Sequence, residues 1–249
     1  MNFNEFTLFF DDGGVMNDNQ IRGIQFQKMI GDYFSPIYGG EKHQWAEANF
    51  NFIEEIMREY IEIIEEERIV DFHTYHNEFI TRWIEEMFEY VGVSLPTKKE
   101  YNRIYKEAME FITPNVRASF PSVIDSIKKL KKLGFRLYTA SGEVSWELIG
   151  YLRGMGILKY FEEFYGPDLI NTHKVNEKFY EKIFSRSYVE PKKAIIIEDN
   201  PRFIEFAQSL GANIIQVCVT GDHEPSYPFY VTNMKDLPEI VLKLVNKKL

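Results

Sequence analysis

Cysteine is nearly missing: Cys218 is the only one in 249 residues. A single thiol excludes an intrachain disulfide framework, a Cys-based zinc or iron–sulfur cluster held by this chain alone, and a CxxC redox pair. Long apolar runs are missing as well, since none approaches the ~18–20 residues that a membrane-spanning helix needs. The opening Met1-Asn-Phe-Asn-Glu5 is polar and acidic, so no secretory signal is read and a cytosolic location is expected. Positive charge is in deficit, with 29 Lys and Arg against 38 Asp and Glu. The deficit has a place: residues 41–110 hold 17 acids and 8 bases, which accounts for the whole net charge of −9. No basic stripe interleaved with aromatics offsets this field, so neither nucleic acid nor anionic membrane is expected as a partner.

What is present is a substantial apolar fraction, 45%, in a chain long enough to bury a real core. Phe6-Thr-Leu-Phe-Phe10 reads as a strand that stops at Asp11-Asp-Gly-Gly14. From about Asn19 to Ala118 the apolar residues recur every three or four positions, as in Ile53, Ile56, Met57, Tyr60, Ile61 and Ile64. Glutamates fill the opposite faces, and Gly39-Gly40 and Ser94-Leu-Pro96 break the run into separate helices. After Phe120-Pro121 strands and helices alternate. Phe135–Thr139, Ala194–Glu198, Asn213–Val217 and Phe229–Val231 read as strands; Val123–Leu133, Val144–Met155, Arg202–Leu210 and Leu237–Val245 read as helices. This rhythm predicts an α/β fold, a doubly wound, Rossmann-like parallel sheet covered on both faces. An all-helical segment interrupts it after the first strand. The expected domains are therefore residues 1–17 with 119–249, and an inserted cap at 18–118.

In such sheets the working groups lie beyond the carboxyl ends of the strands. Asp11, Thr139, the loop at Lys174, and Glu198-Asp199 occupy those places. Phe10-Asp11-Asp12-Gly13-Gly14-Val15 resembles the first motif of the haloacid dehalogenase-like hydrolase superfamily, Asp-x-Asp-Gly-Thr/Val at a strand end. The other three motifs follow in order. Thr139 closes the second strand, Lys174-Val-Asn-Glu-Lys-Phe-Tyr resembles Lys-Pro-x-Pro-Asp-x-Phe, and Glu198-Asp199-Asn200-Pro201 resembles the acidic fourth motif. The interval of 128 positions from Asp11 to Thr139 resembles that of a cap inserted between motifs one and two.

The resemblance implies Mg²⁺-dependent hydrolysis of a small phosphorylated metabolite, or another small anionic substrate, with Asp11 as the nucleophile that forms an aspartyl phosphate. It implies that Thr139 binds a phosphoryl oxygen and that Lys174 supplies fixed positive charge beside Asp11. Asp11 and Asp199 would hold Mg²⁺ together with the carbonyl of Gly13, and Glu198 would be a further ligand or a neighbour that supports the loop. One position departs from the pattern: phosphatases of this superfamily carry a proton-donating aspartate two residues after the nucleophile, where this chain has Gly13. Dehalogenases and phosphonoacetaldehyde hydrolases lack that aspartate too, so C–halogen or C–P hydrolysis, or a catalytically weak binding protein, is the alternative. Lys28 and Lys42 do not match the Schiff-base lysine of the phosphonate enzymes. Arg22, Arg82, Trp83 and Arg103 are candidate specificity groups, and His73 with His76 reads as a hydrogen-bonded or solvated pair. Oligomeric state does not follow from the sequence.

Overall fold

Runs such as Ala194-Ile-Ile-Ile-Glu198 are apolar up to their last residue, which suits a strand buried on both faces. In the computed structural model, which describes residues 3–66, 68 and 71–248, these runs become a six-stranded, all-parallel sheet. Its strands are β1 (Thr7–Phe10), β2 (Arg136–Ala140), β3 (Glu163–Tyr165), β4 (Ala194–Glu198), β5 (Asn213–Val217) and β6 (Tyr230–Val231), in the order β3-β2-β1-β4-β5-β6. β3 was not legible in the sequence. It is a three-residue edge strand with an exposed glutamate at one end, too short to show a period.

The helices divide into two sets. Helices α1 (Asn19–Tyr38), α2 (Lys42–Glu65), α3 (Phe72–Val91) and α4 (Tyr101–Ile112) follow β1 directly. The remainder are α5 (Val123–Lys132), α6 (Ser145–Gly154), the single turn α7 (Pro167–Ile170), α8 (Lys178–Ser187), α9 (Pro201–Ser209) and α10 (Leu237–Lys248). Side-chain alternation sorts the sheet into two faces. Leu8, Phe10, Leu137, Ile195 and Ile197 pack with apolar residues of α5, α6 and α10. Phe9, Tyr138, Ile196 and Ile214 pack with those of α8 and α9. Helices α1–α4 bury their stripes in a cluster of their own around Phe34, Trp45, Trp83 and Phe88, which Tyr151 of α6 joins.

The chain leaves and re-enters the sheet layer side by side. Asp18 donates its N–H to Ala118 O (2.8 Å) and Phe120 donates to Met16 O (3.0 Å). Asp18 also caps α1 by accepting from the amides of Gln20 and Ile21. Among the described residues no helix is long and apolar enough to cross a membrane.

Candidate active site

Asp11 is the first residue past β1, and its N–H still donates to Ile197 O (3.0 Å) as if the strand continued. The chain then curls. The carbonyl of Asp12 accepts from the amides of Met16 (2.7 Å) and Asn17 (2.9 Å), and Gly14 takes a left-handed φ of +79°. Gly14 is required on two counts: the backbone angle favours glycine, and a Cβ there would stand 2.2 Å from Asp199 Oδ2. The loop after β1 thus presses against the carboxylate that ends the β4 loop.

Lys174, from the loop before α8, reaches into this junction and is almost wholly buried. Its Nζ lies 3.3 Å from Asp11 Oδ1, donates to Ala140 O (3.1 Å) and pairs with Glu198 Oε2. Burial works to lower its pKa, but the charges of Asp11 and Glu198 outweigh that and hold it well above the usual lysine value. Burial and the Asp11 charge push Glu198 well up, and the same two causes raise Asp199. Carboxylate oxygens of Asp11, Glu198 and Asp199 all lie within 4.8 Å of one another. One ammonium among three carboxylates leaves the group negative.

Glu198 and Asp199 differ in what they offer. Both oxygens of Glu198 are taken: Oε2 accepts from Lys174 and from the Tyr180 hydroxyl (3.3 Å), and Oε1 accepts from the Asn200 amide (3.2 Å). Glu198 is fully buried and does not line the cleft, whereas Asp11, Gly13 and Asp199 do. No hydrogen bond among the described residues uses the carbonyl of Gly13.

Thr139 is not where the sequence put it. Its strand partner is Phe10, so it shares the face of Phe10, and the same alternation turns Asp11 to the face of Phe9. Thr139 is fully buried, directs its hydroxyl at Tyr165 O (3.4 Å) and does not line the cleft. Ser141, just past the strand, lines it instead. Its Oγ accepts from the Glu143 amide (3.2 Å), which leaves its proton free to donate. The signal was available in the Ser-Gly pair that follows the strand, because a turn there re-aims the side chain.

Asp12 turns away from the cleft and is fully buried; its carboxylate accepts from Asn17 Nδ2 (2.7 Å) and from Arg22 (2.7 Å). Arg22 also pairs with Glu143 (3.0 Å) and lies over the Tyr151 ring. Of the candidate specificity groups, Arg22 and Trp83 line the cleft. Arg82 is tied to Glu55, Glu59 and Glu86, and Arg103 to Glu100 and Glu107. Lys28 and Lys42 both pair with Asp32. His73 and His76 are not a pair: His73 is exposed, and His76 stacks between Phe72 and Phe79 and lines the cleft.

The cleft holds about 920 Å³ between the sheet edge and helices α1–α4. Two of its buried groups set a pH dependence. Burial pushes Glu147 from 4.5 up to about 8, reinforced by Glu143 and Asp168 and opposed by the Tyr105 hydroxyl and by Arg22. Burial pushes His173 from 6.5 down to about 4. The folded state keeps the Glu147 proton between pH 4.5 and 8 while the unfolded chain gives it up, so this group loses stability as pH rises. His173 acts oppositely between pH 4 and 6.5, where only the unfolded chain takes the proton. Above pH 6.5 the histidine has no further effect. Urea unfolding should therefore show Glu147→Gln losing on the order of 2 kcal/mol less stability than wild type between pH 6.5 and 8. Parallel pH profiles for the two proteins would contradict the assignment.

The haloacid dehalogenase-like hydrolase family model matches residues 46–217. The enolase-phosphatase E1 of Shewanella loihica is 29% identical over 122 residues, 47% of this chain and 53% of that protein. A second curated relative is spanned over 61% of its length, so the chain covers only about half to three-fifths of these relatives. Among solved structures, a 2-haloacid dehalogenase of Pseudomonas syringae is similar with a TM-score of 0.64 at 17% identity, covering 96% of this chain and 98% of that one. The HAD-hydrolase YfnB of Bacillus subtilis, bound to magnesium, is similar with a TM-score of 0.63 at 17% identity, covering 96% and 99%.

Proposed function

The chain belongs to the haloacid dehalogenase-like hydrolase family, and from that premise we propose that it is a Mg²⁺-dependent phosphohydrolase acting on a small phosphate compound through an aspartyl phosphate at Asp11. In this reading residues 18–118 form the cap, and the enzyme works in the cytosol. The observation that carries it is the group of Asp11, Lys174, Glu198 and Asp199, in which one buried ammonium faces three carboxylates. A divalent cation suits the remaining charge, and the donors are the oxygens that hard cations select. Asp11, Asp199 and the unused carbonyl of Gly13 would hold it. When bound, Mg²⁺ supplies positive charge to the transferring phosphoryl group.

The chain's own residues supply the rest. An Asp11 oxygen attacks phosphorus while the bond from phosphorus to the leaving oxygen breaks, its electron pair departing with that oxygen. Lys174 and the Ser141 hydroxyl hold phosphoryl oxygens during the transfer, and Glu198 positions the ammonium. Water then attacks phosphorus and the Asp11–phosphorus bond breaks, returning the carboxylate and releasing phosphate.

Rapid acid quench during turnover of p-nitrophenyl phosphate tests this. Phosphate should be trapped on wild-type protein in Mg²⁺ and not on Asp11→Asn, and Asp199→Asn should lose Mg²⁺ binding by calorimetry. Halide release from 2-haloacids without Mg²⁺, and no trapped phosphate, would favour the dehalogenase reading and overturn this one.

A further inference from the structure

The cleft above Asp11 is built of groups that say what the rest of the substrate is. Helix α2 turns Ile53, Ile56, Met57, Tyr60 and Ile61 toward it, and Phe79 and Trp83 of α3 close the far side. Its volume of about 920 Å³ lies near the upper end of ordinary small-molecule sites. A phosphoryl group fills only the corner at Asp11, so most of the space faces the leaving group.

Charge in the cleft is already spoken for. Among the described residues, the only Lys and Arg that line it are Lys174 and Arg22. Lys174 is held by Asp11 and Glu198, and Arg22 by Asp12 and Glu143. The two lining histidines add no cation at neutral pH, since burial lowers the pKa of both. Of the acids on its wall, Glu54 and Glu143 would oppose a second anion. A substrate with a carboxylate, a second phosphate or a nucleoside diphosphate group would find no free cation. Tyr75 Oη and His173 Nε2 are buried in the lining with no hydrogen-bond partner among the described residues, so a neutral hydroxyl on the substrate can be paired there. A polyol would leave most of its hydroxyls on the apolar faces of α2 and α3, each unpaired group costing free energy.

We propose that the substrate is an aryl phosphate monoester with an uncharged apolar tail, its ring seated between α2 and α3 and its phosphoryl group at Asp11. This rests on the phosphohydrolase reading and adds the class of substrate to it. The departing phenolate carries the electron pair of the broken phosphorus–oxygen bond and takes its proton from water. A phenol ionises near pH 10, far below an alkanol or water at about 16, so it leaves without a protein acid. The cleft and the missing acid at Gly13 thus point to the same esters by independent routes.

The test holds the leaving group constant and varies the tail. 4-Ethylphenyl phosphate and 4-(carboxymethyl)phenyl phosphate release phenols of similar acidity and differ in charge. With Mg²⁺, kcat/KM should favour the ethyl ester by at least ~100-fold, in line with the discrimination that a fitted apolar pocket plus an unpaired charge can provide. Met57→Lys adds a cation at a half-exposed wall position and should raise the carboxymethyl ester at least ~10-fold while lowering the ethyl ester. Acetyl phosphate, which has no tail, serves as the control for the phosphoryl site: in Mg²⁺ the wild-type protein should hydrolyse it with Asp11 phosphorylated. Equal use of the two aryl esters, with Asp11 phosphorylated by both, would overturn the proposal and leave the phosphohydrolase reading standing. Failure of all three compounds to phosphorylate Asp11 would overturn both.

Discussion

Lys174→Met should lower turnover of p-nitrophenyl phosphate by ~10²–10³-fold, the usual effect of removing one fixed electrostatic contact to a developing transition state. It should also destabilise the fold. The side chain is 1% exposed and, among the described residues, is the only cation paired with Asp11 or Glu198, so its loss leaves two largely buried carboxylates facing each other. Breaking a buried pair from one side costs about 3–5 kcal/mol, because the abandoned charge stays desolvated. The loss should be smaller in Mg²⁺ than in EDTA, since a cation held by Asp11 and Asp199 would neutralise part of the same charge. The double variant Lys174→Met/Glu198→Gln removes one abandoned charge and should recover stability without recovering turnover. Urea unfolding with and without Mg²⁺, beside steady-state rates, separates the two effects. Wild-type turnover in Lys174→Met would remove the lysine from the proposed reaction.

Rates should fall steeply as the leaving group becomes more basic, with p-nitrophenyl and acyl phosphates outrunning alkyl and sugar phosphates by at least ~10³-fold. General acid catalysis is worth ~10²–10⁴-fold, and the structure offers no obvious donor at the place where the aspartate would stand. At position 13 a Cβ would meet Asn19 Oδ1 at 2.4 Å and Arg22 Nη2 at 3.1 Å. Asp12 is no substitute, because it is sealed beneath the loop with Asn17 and Arg22. Gly13→Asp alone should therefore improve alkyl substrates less than ~10-fold. The obstacle is crowding rather than backbone strain, for Gly13 is not among the left-handed glycines. Even if Asn19 moved, the Arg22 guanidinium would hold the new carboxylate ionised and so poor as an acid. The measurement is a plot of log kcat/KM against leaving-group pKa for wild type and variant. A flat wild-type plot with chemistry limiting would require a donor from the cap, and Tyr60 is the first to test by substitution, its hydroxyl lying within 3.9 Å of a Cβ built at Gly142.

The sequence by itself determined the layers and the order of the parts. Continuous apolar runs of four or five residues bounded by turn residues suit strands buried on both faces, and the three-to-four-residue period from Asn19 onward suits helices that bury one stripe. Carboxylates placed at the ends of parallel strands come together, because such strands carry their carboxyl ends to one edge; Asp11, Glu198 and Asp199 do so, and Lys174 joins them from the loop before α8. Tertiary structure alone decided which side chains face the cleft. The register of β1 on β2 turned Thr139 to the opposite face from Asp11 and left Ser141 at the edge. The three bonds on Glu198 made it a holder of Lys174. The space beside Gly13 went to Asn19 and Arg22, eleven residues from Asp11 or fewer in sequence but placed there by the curl of the loop and the start of α1. Orientation at a strand end depends on register and on the path of the next loop, and both are set by contacts between segments far apart in the chain.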